Sequence, residues 1–164
     1  MREMEVHGVN LDVVTNQPVV ILRDTVASRF LPIWIGQFEA TAILMEIQGI
    51  KPSRPLTHDL LNSVIGTLEA EIQSIIINDL RDGTFYARIE LVTVASSLSI
   101  DARPSDAIAL AVRAGVPIFA DERVLDKAGV DNEDRENDDV VSRFREFLDT
   151  IEPEDFKDLD FPTD

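Results

Sequence analysis

Residues 98–107 read Leu98-Ser99-Ile100-Asp101-Ala102-Arg103-Pro104-Ser105-Asp106-Ala107. Leu98, Ile100 and Ala102 alternate with polar residues, the period of a strand with one face turned inward. Arg103-Pro104 ends the alternation. Beyond it Ala107, Ile108, Ala111 and Val112 recur at helical spacing, and Gly115 suits the helix end. Proline fits the first helical position, where its missing N–H would have been unpaired anyway. The stretch is a strand that passes directly into a helix. It also concentrates chemistry, because a helix start offers free N–H groups and a partial positive charge that can hold an anion. The plain structural reading is that Ser105 and Asp106 cap the helix.

Upstream, residues 71–80 read as a strand around Ile75-Ile76-Ile77, and Asp82-Gly83 signals a tight hairpin. The returning strand alternates Phe85, Ala87, Ile89 and Leu91 with Tyr86, Arg88 and Glu90. Residues 4–14 form another strand, with Gly8 marking a bulge. Residues 19–22 form a more fully buried strand, and 30–35 one that Pro32 places at an edge or bulge. Phe38, Ala42 and Met45 then start a helix so apolar that it must be buried or lie at a subunit interface. A third helix opens at Thr57 as its cap, with Leu60, Leu61, Val64, Ile65 and Leu68 as a clean apolar face. Val116 to Phe119 is a last short strand, and 121–128 a short helix. The expected fold is α+β, an antiparallel or mixed sheet with helices packed on it. Three strands followed by a small-residue helix occur at 4–52 and again at 71–117, which suggests two similar β-β-β-α units.

The 164 residues carry a net charge of −16, unevenly spread. Residues 121–164 hold 17 acids against 6 bases, whereas 1–120 hold 14 against 9. The expected organisation is a domain over 1–130, an acidic linker over 131–139, and a C-terminal amphipathic helix with an acidic tail over 140–164. Val140, Val141, Phe144, Phe147, Leu148 and Ile151 fall on one side of that helix. No basic footprint for nucleic acid is present, so any such partner must be met by a local arginine cluster or a metal ion. The absence of cysteine excludes disulfides, thiolate metal sites and a cysteine nucleophile. No signal segment and no apolar run near 18 residues occurs, so a cytoplasmic protein without a membrane partner is expected.

Arg54-Pro55-Leu56-Thr57-His58-Asp59 repeats the grammar of the first box. Together the two boxes place two arginines, a histidine and several carboxylates near helix starts. In order along the chain stand Leu31-Pro32-Ile33-Trp34-Ile35-Gly36-Gln37 with Glu39-Ala40, then this box. After it come Asp82-Gly83-Thr84-Phe85-Tyr86-Ala87, then Ala102-Arg103-Pro104-Ser105-Asp106-Ala107 with Gly115-Val116-Pro117-Ile118. This series, covering about residues 4–130, resembles the bifunctional nuclease domain family, and the terminal Phe144 to Asp149 helix looks like the tail of actinobacterial members. The resemblance implies an α+β fold, a homo-oligomer and nuclease activity on both DNA and RNA. It assigns no catalytic residues; those must come from the site.

Phosphodiester hydrolysis needs an activated nucleophile, neutralised phosphate charge and help for the leaving oxygen. The candidate catalytic residues are His58, Asp59, Arg103 and Asp106, with His58 as acid or base. Arg54, Arg103 and Ser105 are the candidate phosphate binders. Asp101, Asp106 and Glu39 are the candidate ligands for Mg²⁺ or Mn²⁺, although no motif of known metal spacing occurs. The plainer readings are that His58 faces solvent or caps a loop, that Asp101 and Arg103 pair with Arg88 and Glu90 across strands, that Glu39 complements a helix dipole, and that Trp34 is core or interface rather than a platform on which a base stacks. The function expected is a low-specificity, metal-assisted nuclease. The alternatives are a non-catalytic oligomeric regulatory or scaffold protein, whose acidic C-terminal segment chooses a protein partner, and a binder of a small phosphorylated ligand.

Overall fold

Every strand expected from the alternation is present in the computed structural model, which describes residues 1–131. The expected linker beyond Asp131 and the amphipathic helix at 140–164 lie outside the described residues. The first unit is the antiparallel meander β1 (Arg2–Leu11), β2 (Pro18–Asp24) and β3 (Arg29–Trp34), followed by α1 (Gln37–Ile47). After α2 (Thr57–Thr67) the pattern recurs as β4 (Ala70–Arg81), β5 (Thr84–Thr93), β6 (Ser97–Ala102) and α3 (Pro104–Ala114). Then come β7 (Ile118–Ala120), α4 (Glu122–Ala128) and β8 (Val130–Asp131). The eight strands form one mixed sheet in the order β6-β5-β4-β7-β1-β2-β3-β8. β7 joins the two meanders, parallel to β4 and antiparallel to β1. The units are thus laid back to back, with their first strands innermost and their third strands outward.

Local signals explain the joints. Asp82 and Gly83 both take positive φ, 49° and 76°, as a two-residue hairpin of matching twist requires. The β1–β2 register slips between Val6 and Gly8, where the bulge was expected. β1 stops at Leu11 rather than 14, because the Asp12 carboxylate accepts hydrogen bonds from the Val14 and Thr15 N–H groups and turns the chain. Asp131, expected to open the linker, instead pairs with Arg29.

Residues two apart on each strand share one core: Val20 and Leu22, Leu31 and Ile33, Ile75 and Ile77, Ala87, Ile89 and Leu91. Ala107 to Ala111 of α3 and Ile43 of α1 close over it, and α4 adds Val124 and Leu125. Small residues in α3 let it approach the sheet and α1 closely. Leu98 and Ile100 of β6, read as inward-facing, are exposed. So are Leu60, Leu61 and Val64 of α2, Leu68 at its C-terminal cap, and Phe38 of α1. The helical and strand periods were read correctly, but among the described residues no element covers those stripes.

Candidate active site

Each of the three longer helices has an acid at its third position: Glu39 after the cap Gly36, Asp59 after Leu56, and Asp106 after Arg103. Leu56, not Thr57, is the N-cap of α2. An acid in the first turn offsets the dipole and the free N–H groups there. Two of these acids, one from each meander-helix unit, meet at a single arginine. Arg103 donates from Nε to Asp106 Oδ2 at 2.7 Å and from a terminal nitrogen to Glu39 Oε1 at 2.8 Å. These short, charge-assisted bonds hold the guanidinium between two helix starts. The other Asp106 oxygen, Oδ1, lies 3.0 Å from His58 Nε2 in the first turn of α2. His58, Asp106, Arg103 and Glu39 therefore form one continuous network across α1, α2 and α3.

Burial is graded along it. His58 is only 8% exposed, whereas the Arg103 side chain is 65% exposed. Arg103 is thus the member that faces solvent, and His58 backs the network from within. Burial raises the Asp106 carboxyl, but the hydrogen bonds and charges of Arg103 and His58 outweigh it and hold the group below the usual carboxylate range. Asp106 first, then Glu39, raise Arg103 further, so it is a permanent cation.

The remaining candidates lie elsewhere. Asp59 accepts from the Leu56 N–H at 2.8 Å and from Arg113 Nε at 2.7 Å. Burial raises its carboxyl, and those bonds more than reverse the effect. Asp59 thus caps α2 and neutralises a buried arginine. Arg113, unremarked in the sequence, also donates to the Ala109 and Ala42 carbonyls and so fastens α1, α2 and α3 together. An arginine directly following the apolar Ala107–Val112 run was the signal for it. Arg54 lines a cavity of about 250 Å³ with Lys51, Asp59 and Arg113, and makes no hydrogen bond or ion pair among the described residues. Asp101 stands opposite Arg88 on the outer strand pair, while Arg88 pairs with Glu90 along its own strand. Ser105 is 6% exposed and lines a cavity of about 430 Å³ beside Arg103.

Asp101, Asp106 and Glu39 are not assembled as metal ligands: among the described residues no group of three or more His, Asp or Glu is placed to hold an ion. The chemistry of the donors gives the reason. A guanidinium stands between Glu39 and Asp106, and its positive charge fills the role a divalent cation would take. As arranged, this donor set does not fit Mg²⁺ or Mn²⁺.

Gly36 is the second feature not singled out from sequence. A Cβ at this position would fall on the Glu39 carboxylate, so the glycine leaves room for the acid that reaches Arg103. Trp34 is the third. Expected in the core or an interface, it is 51% exposed, and its indole N–H donates to Asp12 Oδ2 at 2.9 Å.

Comparison with known proteins places this geometry in context. A family model described as the bifunctional nuclease domain matches residues 20–133. Two uncharacterized proteins from strains of Mycobacterium tuberculosis are 45% identical over 165 residues, covering 96% of this chain and 99% of their own. Bifunctional nuclease 2 of Oryza sativa subsp. japonica is 29% identical over 115 residues, 68% of this chain and 35% of the rice protein. Bifunctional nuclease 1 of Oryza sativa subsp. indica is 25% identical over 139 residues, 75% and 42% of the two chains.

Proposed function

Because the chain belongs to the bifunctional nuclease domain family, we propose that it hydrolyses phosphodiester bonds of DNA and RNA with little sequence preference, at the junction of α1, α2 and α3. The observation that carries this reading is Arg103: a solvent-facing guanidinium held by carboxylates from two helices, one of them backed by His58. Such a group can exchange a carboxylate for a phosphate, which it binds with the same two-pronged geometry. Ser105 and the start of α3 add donors beside it. Arg54, with no competing partner, is a second cation for the strand.

The exchange has a chemical consequence. When Arg103 turns to phosphate, Asp106 loses the stronger of the two contacts that lower its carboxyl and keeps only His58, while burial still raises it. Asp106 becomes a better proton acceptor as substrate arrives. It then takes the proton of the attacking water, or of the 2′-hydroxyl in RNA, with His58 holding its orientation. Arg103 neutralises the charge growing on the phosphoryl oxygens, and the proton on Asp106 passes to the leaving oxygen. Asp59 acts at one remove, by fixing the start of α2.

The test is cleavage of labelled DNA and RNA by purified protein and its Arg103→Ala and Asp106→Asn variants, in Mg²⁺, in Mn²⁺ and in EDTA. Cutting lost in both variants and retained in EDTA is the expected result. Cutting abolished by EDTA would overturn the role given to Asp106 and favour the metal-assisted reading. Equal cutting by all three proteins would indicate a contaminant.

A second reading, an oligomeric protein without catalysis, is favoured by the exposed apolar residues of α2 and by Phe38 at 86% exposure. Self-association through these residues is compatible with hydrolysis as well. Sedimentation of Leu60→Glu/Val64→Glu beside wild type tests it: a monomeric variant of an oligomeric parent is expected. Among the described residues no helix is long and apolar enough to cross a membrane.

A further inference from the structure

Trp34 is the chain's single tryptophan, and it stands half-exposed at the end of β3. An indole left in water forgoes substantial burial energy, so its position calls for a reason. Its orientation is fixed from outside the sheet. The indole N–H is bonded to Asp12, which is itself held by the Val14 and Thr15 N–H groups. The Trp34 bond first, then the Val14 N–H, lower the Asp12 carboxyl, which stays ionised as an acceptor.

The 430 Å³ cavity is lined by Trp34, Gly36, Phe85, Arg103, Pro104 and Ser105, among others. Its volume lies within the roughly 300–1,000 Å³ usual for small-ligand sites. Ser105 lines it at 6% exposure, and its hydroxyl makes no hydrogen bond to any described residue. One cavity therefore offers a fixed aromatic ring, a free hydroxyl, a helix start and the exposed guanidinium. A phosphate and an aromatic base joined by a sugar have matching chemistry.

We propose that Trp34 stacks on a nucleobase of the strand whose phosphate is held by Arg103, so that the site takes single-stranded nucleic acid. This rests on the hydrolytic reading only for the choice of Arg103 as the phosphate contact. Bases in a duplex are stacked on each other and cannot lie on the ring, whereas an unpaired base can do so with little regard to its identity. The preference is thus for strandedness and not for sequence.

The experiment is equilibrium binding of end-labelled ten-residue probes by anisotropy, at low salt: oligothymidylate, an abasic oligonucleotide of equal length, and a duplex. Wild type, Trp34→Phe and Trp34→Ala are compared, each with melting checked. Wild type is expected to bind oligothymidylate more tightly than the abasic probe or the duplex. Trp34→Ala should weaken oligothymidylate binding by about 5- to 100-fold and leave abasic binding unchanged. Trp34→Phe should keep most of the affinity, and oligothymidylate should quench wild-type tryptophan fluorescence. Equal loss with base-bearing and abasic probes, or no loss at all, would overturn the proposal. Stacking without any cleavage would sink the hydrolytic reading alone, whereas cleavage with Trp34-independent binding would sink only this one.

Discussion

Replacing Arg103 with alanine leaves Glu39 and Asp106 facing each other without the cation between them. Two ion pairs are lost, to Asp106 at 2.7 Å and to Glu39 at 2.8 Å. The guanidinium is mostly exposed, so each pair is held near the usual surface range of about 0.2–1 kcal/mol. With the added repulsion of two like charges, the variant should be less stable by about 1 kcal/mol at pH 7, roughly 4 °C in melting temperature for a domain of this size. The pH dependence gives the sharper test. In the wild type the folded Asp106 carboxyl lies below its unfolded value. Its stabilisation is therefore full above the unfolded value near 3.8 and is lost as pH falls through the lower folded value. In Arg103→Ala only burial and His58 remain, the carboxyl rises, and that stabilisation shrinks. The difference between the two proteins should thus be largest near neutral pH and close up below about pH 4. Urea unfolding at pH 7, 5 and 3.5 measures it. A difference that stays constant across this range would mean that Arg103 acts through packing, and the electrostatic account of the site would fall.

Further outcomes follow from other contacts. Gly36→Ala should push the Glu39 carboxylate away and loosen Arg103; nucleic-acid affinity should drop severalfold while the melting temperature moves little, because the displaced group is the end of a flexible side chain. His58→Ala should cost about 1–3 kcal/mol, since it removes a hydrogen bond to a charged group that ties α2 to α3, and His58→Gln should recover part of it in denaturant titrations. Asp24 is buried and paired with Arg2. Burial raises its carboxyl, but Arg2 and the Val26 and Ala27 N–H groups bring it down to about 2. Its stabilisation is full above the unfolded value of 3.8 and is lost as pH falls through about 2. Asp24→Asn should flatten the acid limb of the melting curve between pH 4 and 2, and an unchanged limb would refute this.

Elements came from local rules. Alternation identified β5, Pro104 the start of α3, Gly115 its left-handed end, and Asp82-Gly83 the hairpin, because each is settled by steric and hydrogen-bonding limits within a few residues. The strand–strand–strand–helix repetition was visible for the same reason. What failed was burial. Leu98 and Ile100 were read as inward-facing and Trp34 as core or interface, yet all three are exposed; coverage depends on what lies across from a side chain, which periodicity does not carry. Among the site residues, the Arg103-to-Asp106 contact spans three positions and is within reach of a helix turn. The contacts that complete the network span 64 positions to Glu39 and 48 to His58. No spacing rule reaches that far. Residue type and helix-start position marked His58, Arg103, Asp106 and Glu39 as candidates, since chain chemistry is local. Their union, the diversion of Asp59 to Arg113, and the separation of Asp101 from the other carboxylates arise from how three helices pack on one sheet, an outcome of the whole core.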